Sequence, residues 1–227
     1  EEWSFSGLDP STTPAADYAD AITGDFYYNS TTGQFKQVNT GGAPIGTWAS
    51  GGDLNTARRG YDVGAGIQTA ALMSGGYTTT VVAITEQYDG SSWTEVGDLN
   101  TARFASSGSG TTYTAAFLAT GLAPGRVTNT EIWDGSSWTE VNEVNTGRNS
   151  SGGTGSSTAG LITSGEAPSI TAKTESWDGT NWTEVNDLNT AGKMRVAIGT
   201  YTSALAIGGS TAAGAPFYSI VEQWDGS

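Results

Sequence analysis

"YDGSSWTEVGDLNTAR" runs from Tyr88 to Arg103, "WDGSSWTEVNEVNTGR" from Trp133 to Arg148, and "WDGTNWTEVNDLNTAG" from Trp177 to Gly192. The phrase begins again at Trp224 with "WDGS". Repetition of this length marks a repeat architecture, in which each unit is one supersecondary element stacked on its neighbours. Outward from the phrase, further landmarks recur in one register. Trp48, Trp93, Trp138 and Trp182 are 45, 45 and 44 residues apart. Ten residues after the first three stand Arg58, Arg103 and Arg148, and after Trp182 the same place holds Gly192. Seven residues before Trp93, Trp138 and Trp182 stand Glu86, Glu131 and Glu175, and ten before those come Gly76, Gly121 and Gly165.

Each unit reads as four short strands. A Gly/Ser/Ala-rich segment such as "GYDVGAGI" from Gly60 is followed by an apolar one, "AALMSGG" from Ala70 or "AAFLATG" from Ala115. Next comes an alternating segment, "ITEQY", "NTEIW", "KTESW" or "IVEQW", and last "SWTEV" or "NWTEV". "DGSS" and "DGTN" between the last two read as tight hairpin turns, because Asp-Gly supplies the positive φ such turns need. No helical spacing of apolar residues extends far enough to compete. Four strands repeated at about 45 residues predict an all-β protein, a β-propeller. Its innermost strands crowd near an axis, which suits small residues, and the aromatics fill the wedges between blades.

Here the residues resemble the kelch repeat. That family has an apolar strand ending in Gly-Gly, a Glu-x-Tyr/Trp strand and a Trp five or six residues on. Gly75-Gly76, Glu86, Tyr88 and Trp93 match, as do Gly208-Gly209, Glu222 and Trp224, while Thr120-Gly121 and Ser164-Gly165 keep only the second glycine. The resemblance covers residues 46–227. By the same spacing, the Trp of the fourth unit falls at position 229, beyond Ser227. "GTWASGGDLNTAR", Gly46 to Arg58, carries Trp48 and the connector without preceding strands. The expectation is therefore a kelch-like propeller of four blades, about 58–97, 103–142, 148–186 and 193–227 plus 46–51, closed by an N-terminal strand; the rival reading is a piece of a longer propeller, cut at a repeat boundary. Closure removes sheet edges that otherwise invite aggregation. The fourth unit carries an insert, "STAAGAPFY", and its Pro216, Phe217 and Tyr218 are candidate binding residues on a projecting loop.

Residues 1–45 stand outside the repeat and read as an attachment segment. "GDFYYNSTTGQFKQV", Gly24 to Val38, predicts a β-hairpin turning near Asn29–Gly33. "YYNSTTGQF" is similar to leaders that precede kelch-like repeats in structural proteins of tailed phages of marine bacteria. The segment carries Trp3, Phe26, Tyr27, Tyr28 and Phe35, a high aromatic load for so short a stretch. Such a cluster is expected to be covered by a partner, which makes these the candidate assembly residues.

Composition excludes several classes of chemistry. Nine Lys and Arg against 23 Asp and Glu, a net charge of −14, offer no basic face to nucleic acid or to an anionic membrane. No apolar run approaches the ~18 residues of a membrane span. The chain has neither Cys nor His, so thiolate nucleophiles, imidazole acid–base catalysis and the usual zinc sites are not expected. Asp89, Asp134, Asp178 and Asp225 read as turn formers rather than calcium ligands, which come as sets of about 6–8 oxygens. No metal and no cofactor is expected.

Arg58, Arg103 and Arg148 resemble, in their equivalent placement, the carboxylate-binding trio of sialidases. A residue that recurs with the repeat serves the repeat, and each Arg is expected to bond connector carbonyls or to pair with Glu86, Glu131 or Glu175. The resemblances imply a non-enzymatic virion protein, a decoration, tail or fibre component. Its expected partners are other virion proteins, further copies of itself and a host-surface glycan. The rival reading is a cellular or secreted propeller that binds glycans or cleaves glycosides in the manner of a sialidase.

Overall fold

The computed structural model describes residues 48–60, 64–211 and 217–226, and the backbone of Phe26–Asn29 and Gln34–Gln37. The chain divides into two compact units, Glu1–Ser50 and Gly51–Ser227. In the first, β1 (Phe26–Asn29) pairs antiparallel with β2 (Gln34–Gln37), setting Tyr28 opposite Phe35. Trp48 falls in this unit, lies in no strand and is fully exposed.

The second unit is a propeller-like array of four antiparallel sheets. The first holds β3 (Gly64–Ile67), β4 (Ala70–Ser74), β5 (Thr85–Tyr88) and β6 (Trp93–Glu95) in that order. The next holds β7 (Ser107–Thr112), β8 (Ala115–Ala119), β9 (Thr130–Trp133) and β10 (Trp138–Val141). The third holds β11 (Gly152–Ser156), β12 (Ala159–Thr163), β15 (Thr174–Trp177) and β16 (Trp182–Val185), with β13 (Glu166–Ala167) and β14 (Ser169–Ile170) forming a small hairpin between β12 and β15. The fourth holds β17 (Val196–Thr200), β18 (Ser203–Ile207) and β19 (Val221–Trp224). No helix occurs among the described residues.

Local chemistry explains the strand boundaries. The second residue of each Gly-Gly-type pair, Gly76, Gly121, Gly165 and Gly209, has φ of 118, 112, 112 and 100°. Only glycine enters that region without strain. The first residue is also left-handed, so Thr120 and Ser164, both at 62°, hold a conformation their kelch-like counterparts give to glycine. There the chain turns its backbone toward the next sheet. The amides of Gly76, Gly121 and Gly165 donate to the carbonyls of Arg103, Arg148 and Gly192, at 3.0, 2.8 and 2.7 Å.

Inner strands pack in sequence, β7 on β3, β11 on β7 and β17 on β11. Small residues are required there, since a Cβ on Gly153 would stand 2.7 Å from the amide nitrogen of Gly108. The apolar core lies between sheets. Ala65 and Leu72 of the first meet Ala116, Leu118, Trp133 and Trp138 of the second. Phe117 and Ala119 of the second meet Ile162, Trp177 and Trp182 of the third.

Closure of the array is not shown among the described residues. The fourth sheet has three strands there, and residues 48–50 lie in no strand. β17 does not pack on β3 in the way that consecutive inner strands pack on each other.

Candidate functional site

The charged residues of the repeat converge inside the array. Each repeat glutamate caps the connector that precedes its own sheet. Glu131 accepts the Asn100 amide at 2.7 Å, the Asn100 side-chain nitrogen at 2.9 Å, the Thr101 amide at 3.2 Å and Arg103 Nη2 at 2.8 Å. Glu86 does the same with Asn55, Thr56 and Arg58. Glu175 takes both nitrogens of Asn145 and lies 3.0 Å from Arg148 Nη1. All six side chains of these pairs are 0% exposed. Burial opposes ionisation of Glu86, but the Arg58 hydrogen bond and the Asn55 and Thr56 amides outweigh it and hold the carboxyl below its ordinary value. Burial pulls the Arg148 guanidinium below its usual range, against the attraction of Glu175.

The asparagine of this constellation was not singled out from the sequence. Its signal was there, in the invariant place of Asn55, Asn100, Asn145 and Asn189 three residues before the arginine position. The fourth unit holds a second surprise. Gly192 stands where an arginine is due, yet Arg195 reaches back into the slot. A Cβ on Gly192 would meet Arg195 Nε at 2.8 Å, and Arg195 Nη2 lies 3.4 Å from Glu222 Oε1.

Tryptophans tie one sheet to the next. Trp138 Nε1 donates to Thr85 Oγ1 and Trp182 Nε1 to Thr130 Oγ1, both at 2.9 Å. Trp93 is half-buried and donates to the Gly52 carbonyl at 3.1 Å.

The turn aspartates are engaged by their own turns. Asp134 Oδ1 accepts the amides of Ser136 and Ser137 at 2.8 and 2.9 Å, and Asp89 is bound likewise by Ser91 and Ser92. The Ser137 amide, then the amide and hydroxyl of Ser136, bring Asp134 from an ordinary 3.8 to about 2. The Ser92 amide and the Ser91 hydroxyl and amide do the same for Asp89. Because the folded values are depressed, this stabilisation is complete above the ordinary value and is lost as pH falls toward the folded one. Stability is therefore expected to fall between about pH 4 and pH 2, and Asp134→Ala to flatten that slope in urea titrations at stepped pH. An unchanged slope would show that the turn carboxylate is not coupled to folding.

The insert residues separate in role. Pro216 lies outside the described residues. Phe217 is 76% exposed. Tyr218 is held, its hydroxyl donating to the Ala191 carbonyl at 3.2 Å and its ring 5.6 Å from the Arg195 guanidinium carbon. In the third unit, Glu166 of β13 bridges Arg126 of the second, at 2.7 Å, and Lys193 of the fourth. Trp3 lies outside the described residues, and of Phe26, Tyr27, Tyr28 and Phe35 only the backbone pairing is described. No group of three or more acidic side chains converges as a metal site would among the described residues. No protein-family model matches this chain, and no curated protein matches it.

Proposed function

We propose that this chain is a structural and interaction protein of a phage particle, a kelch-like propeller held through its N-terminal segment. The ring of the propeller is completed through the strand around Trp48. The observation that carries the reading is how the repeat uses its charges. Arg58, Arg103 and Arg148 are sealed inside, each against its own glutamate. That arrangement supports a rigid platform rather than an arginine-lined substrate cleft. The segment 1–45, with Trp3, Phe26, Tyr27, Tyr28 and Phe35, is the attachment element, and the exposed Phe217 offers an apolar ring face suited to a host-surface sugar.

The test is replacement of Phe26, Tyr27, Tyr28 and Phe35 by serine in the full chain. The near-ultraviolet circular dichroism of the blades is expected to persist, while incorporation into particles falls at least tenfold. Normal incorporation would refute the anchoring role. Loss of the blade signal would assign the hairpin to the folding core instead.

A further inference from the structure

One set of repeat positions recurs in backbone but not in side chain. The residue after each arginine place bridges antiparallel to the residue after the glycine pair: Arg59 to Tyr77, Phe104 to Leu122, Asn149 to Glu166 and Lys193 to Ser210. Each bridge opens a short hairpin between the second and third strands of its sheet. The main chain is therefore the same four times, yet no residue type appears twice at either place. Packing of the repeat does not choose these side chains, unlike the buried Arg and Glu of the slots beneath them.

The hairpins touch from one unit to the next and form a continuous arc. The Tyr77 ring lies 5.3 Å from that of Phe104. Arg126 Nε donates to Asn149 Oδ1 at 2.9 Å and to the Glu166 carbonyl at 2.7 Å, and Glu166 pairs with Lys193. Positive charge is concentrated along this arc. Four arginines fill the slots, and Lys173 pairs with Glu184. The other cationic side chains among the described residues are Arg59, Arg126 and Lys193, and all three stand on the arc. Glu166 is the one carboxylate on it among the described residues, so the arc is net positive on a chain of charge −14. Glu166 also shows what the arc can hold. Its carboxylate lies between Arg126 Nη2, at 2.7 Å, and Lys193, whose hydrogen bond keeps it below its ordinary value against the effect of burial. Cationic capacity is left over. Arg59 is exposed, lies 5.0 Å from the Tyr77 ring centre and has no carboxylate partner among the described residues. Arg126 is 32% exposed, and its Nη1 makes no bond among the described residues.

We propose that this arc binds a glycan chain bearing carboxylates, of the uronic-acid type, with sugar rings on Tyr77 and Phe104 and carboxylates on Arg59 and Arg126. A guanidinium holds a carboxylate by two parallel hydrogen bonds, which a neutral sugar cannot match. Half-buried rings offer flat apolar area to a sugar face. A glycan suits the arc better than an acidic peptide, because the main chain at each bridge is already paired in both directions. Arg59 and Tyr77 exchange amides and carbonyls at 2.9 and 2.7 Å, and Asn149 and Glu166 at 3.1 and 2.8 Å. No strand edge is left at these places for a peptide to extend. Three cations on an acidic body neutralise too few phosphates to hold a nucleic acid. Glu166 competes with the ligand for Arg126 and Lys193. The site gives a ligand class to the host-surface contact and rests on that part of the reading above; residues 1–45 take no part in it.

The probes are polygalacturonate, alginate and hyaluronate, uronic-acid polymers of different linkage, with the methyl ester of each as its uncharged control. Binding to the full chain is measured at low salt. At least one polymer is expected to bind, and its ester at least tenfold more weakly. Arg59→Gln and Arg126→Gln are each expected to lower that affinity about tenfold, the scale of one charge-assisted hydrogen bond. Glu166→Gln is expected to raise it, which a merely structural role for the cluster would not do. Lys173→Gln, off the arc, is expected to leave it unchanged. Failure of all three polymers to bind overturns the site, as does an affinity that neither arginine variant alters. Esters that bind as well as the acids overturn the carboxylate in favour of a neutral sugar. Polyglutamate that binds more tightly than every polymer overturns the glycan in favour of an acidic peptide. If Arg126→Gln does not fold, Arg59→Gln decides alone, because that side chain is exposed. Arg59→Gln is expected to enter particles normally, so failure of this site and failure of the N-terminal anchor are read separately.

Discussion

Replacing Arg103 by alanine is expected to lower the unfolding free energy by about 3–5 kcal/mol, the usual cost of leaving a buried charge without its partner. Arg103 does more than pair with Glu131. Its Nη1 donates to the Asn129 carbonyl at 3.2 Å and its Nη2 to the Leu118 carbonyl at 3.3 Å, so the side chain joins a connector to two strands of the sheet it precedes. Its loss leaves a fully buried carboxylate facing only the Asn100 and Thr101 donors. The double replacement Arg103→Met with Glu131→Leu is expected to recover most of the loss, because neither charge then has to be desolvated. Arg195→Ala is expected to cost less, since Glu222 retains 10% exposure and the pair is longer, at 3.4 Å. Denaturant midpoints at constant slope measure all three. A loss under about 1 kcal/mol for Arg103→Ala would mean that the connector amides satisfy Glu131 by themselves.

Trp182→Ala is expected to cost a similar amount, about 3–5 kcal/mol, by opening a cavity between two sheets. The indole packs 5.4 Å from the Trp177 ring and 5.9 Å from Phe117, centroid to centroid, and reaches across to Thr130. Trp182→Phe keeps much of that packing and loses the hydrogen bond, so its cost is expected to include about 1 kcal/mol for that bond. Denaturant midpoints at constant slope measure both variants. Equal losses for Trp182→Ala and Trp182→Phe would mean that the hydrogen bond to Thr130, and not the packed ring, carries the contribution.

Much of the site could be read from the chain because the repeat states it several times. Glu86, Glu131 and Glu175 recur with Arg58, Arg103 and Arg148, and recurrence argues for a structural duty. The structure places each pair together and buried. What spacing did not reveal is the partner that each group takes across the chain. Thr85 and Thr130 are unremarkable as residues before a glutamate. They matter because the indole of the following sheet ends on them, 53 and 52 residues later in sequence. Arg195 was likewise illegible as a stand-in for the arginine missing at position 192, since a side chain that folds back over three residues leaves no period to detect.

The sequence by itself determined the secondary structure, the four-unit register and the inward placement of small residues, because each depends on contacts within one repeat or between adjacent ones. Asp-Gly turns, alternating strands and the Glu-to-Trp interval are local instructions, repeated until their reading was unambiguous. Only the tertiary structure decided which group each repeated side chain meets in the neighbouring sheet. The Trp138 and Trp182 indoles end on Thr85 and Thr130, and Arg195 fills the slot beside Gly192. These partners depend on how one sheet packs against the next, and no single repeat encodes that packing.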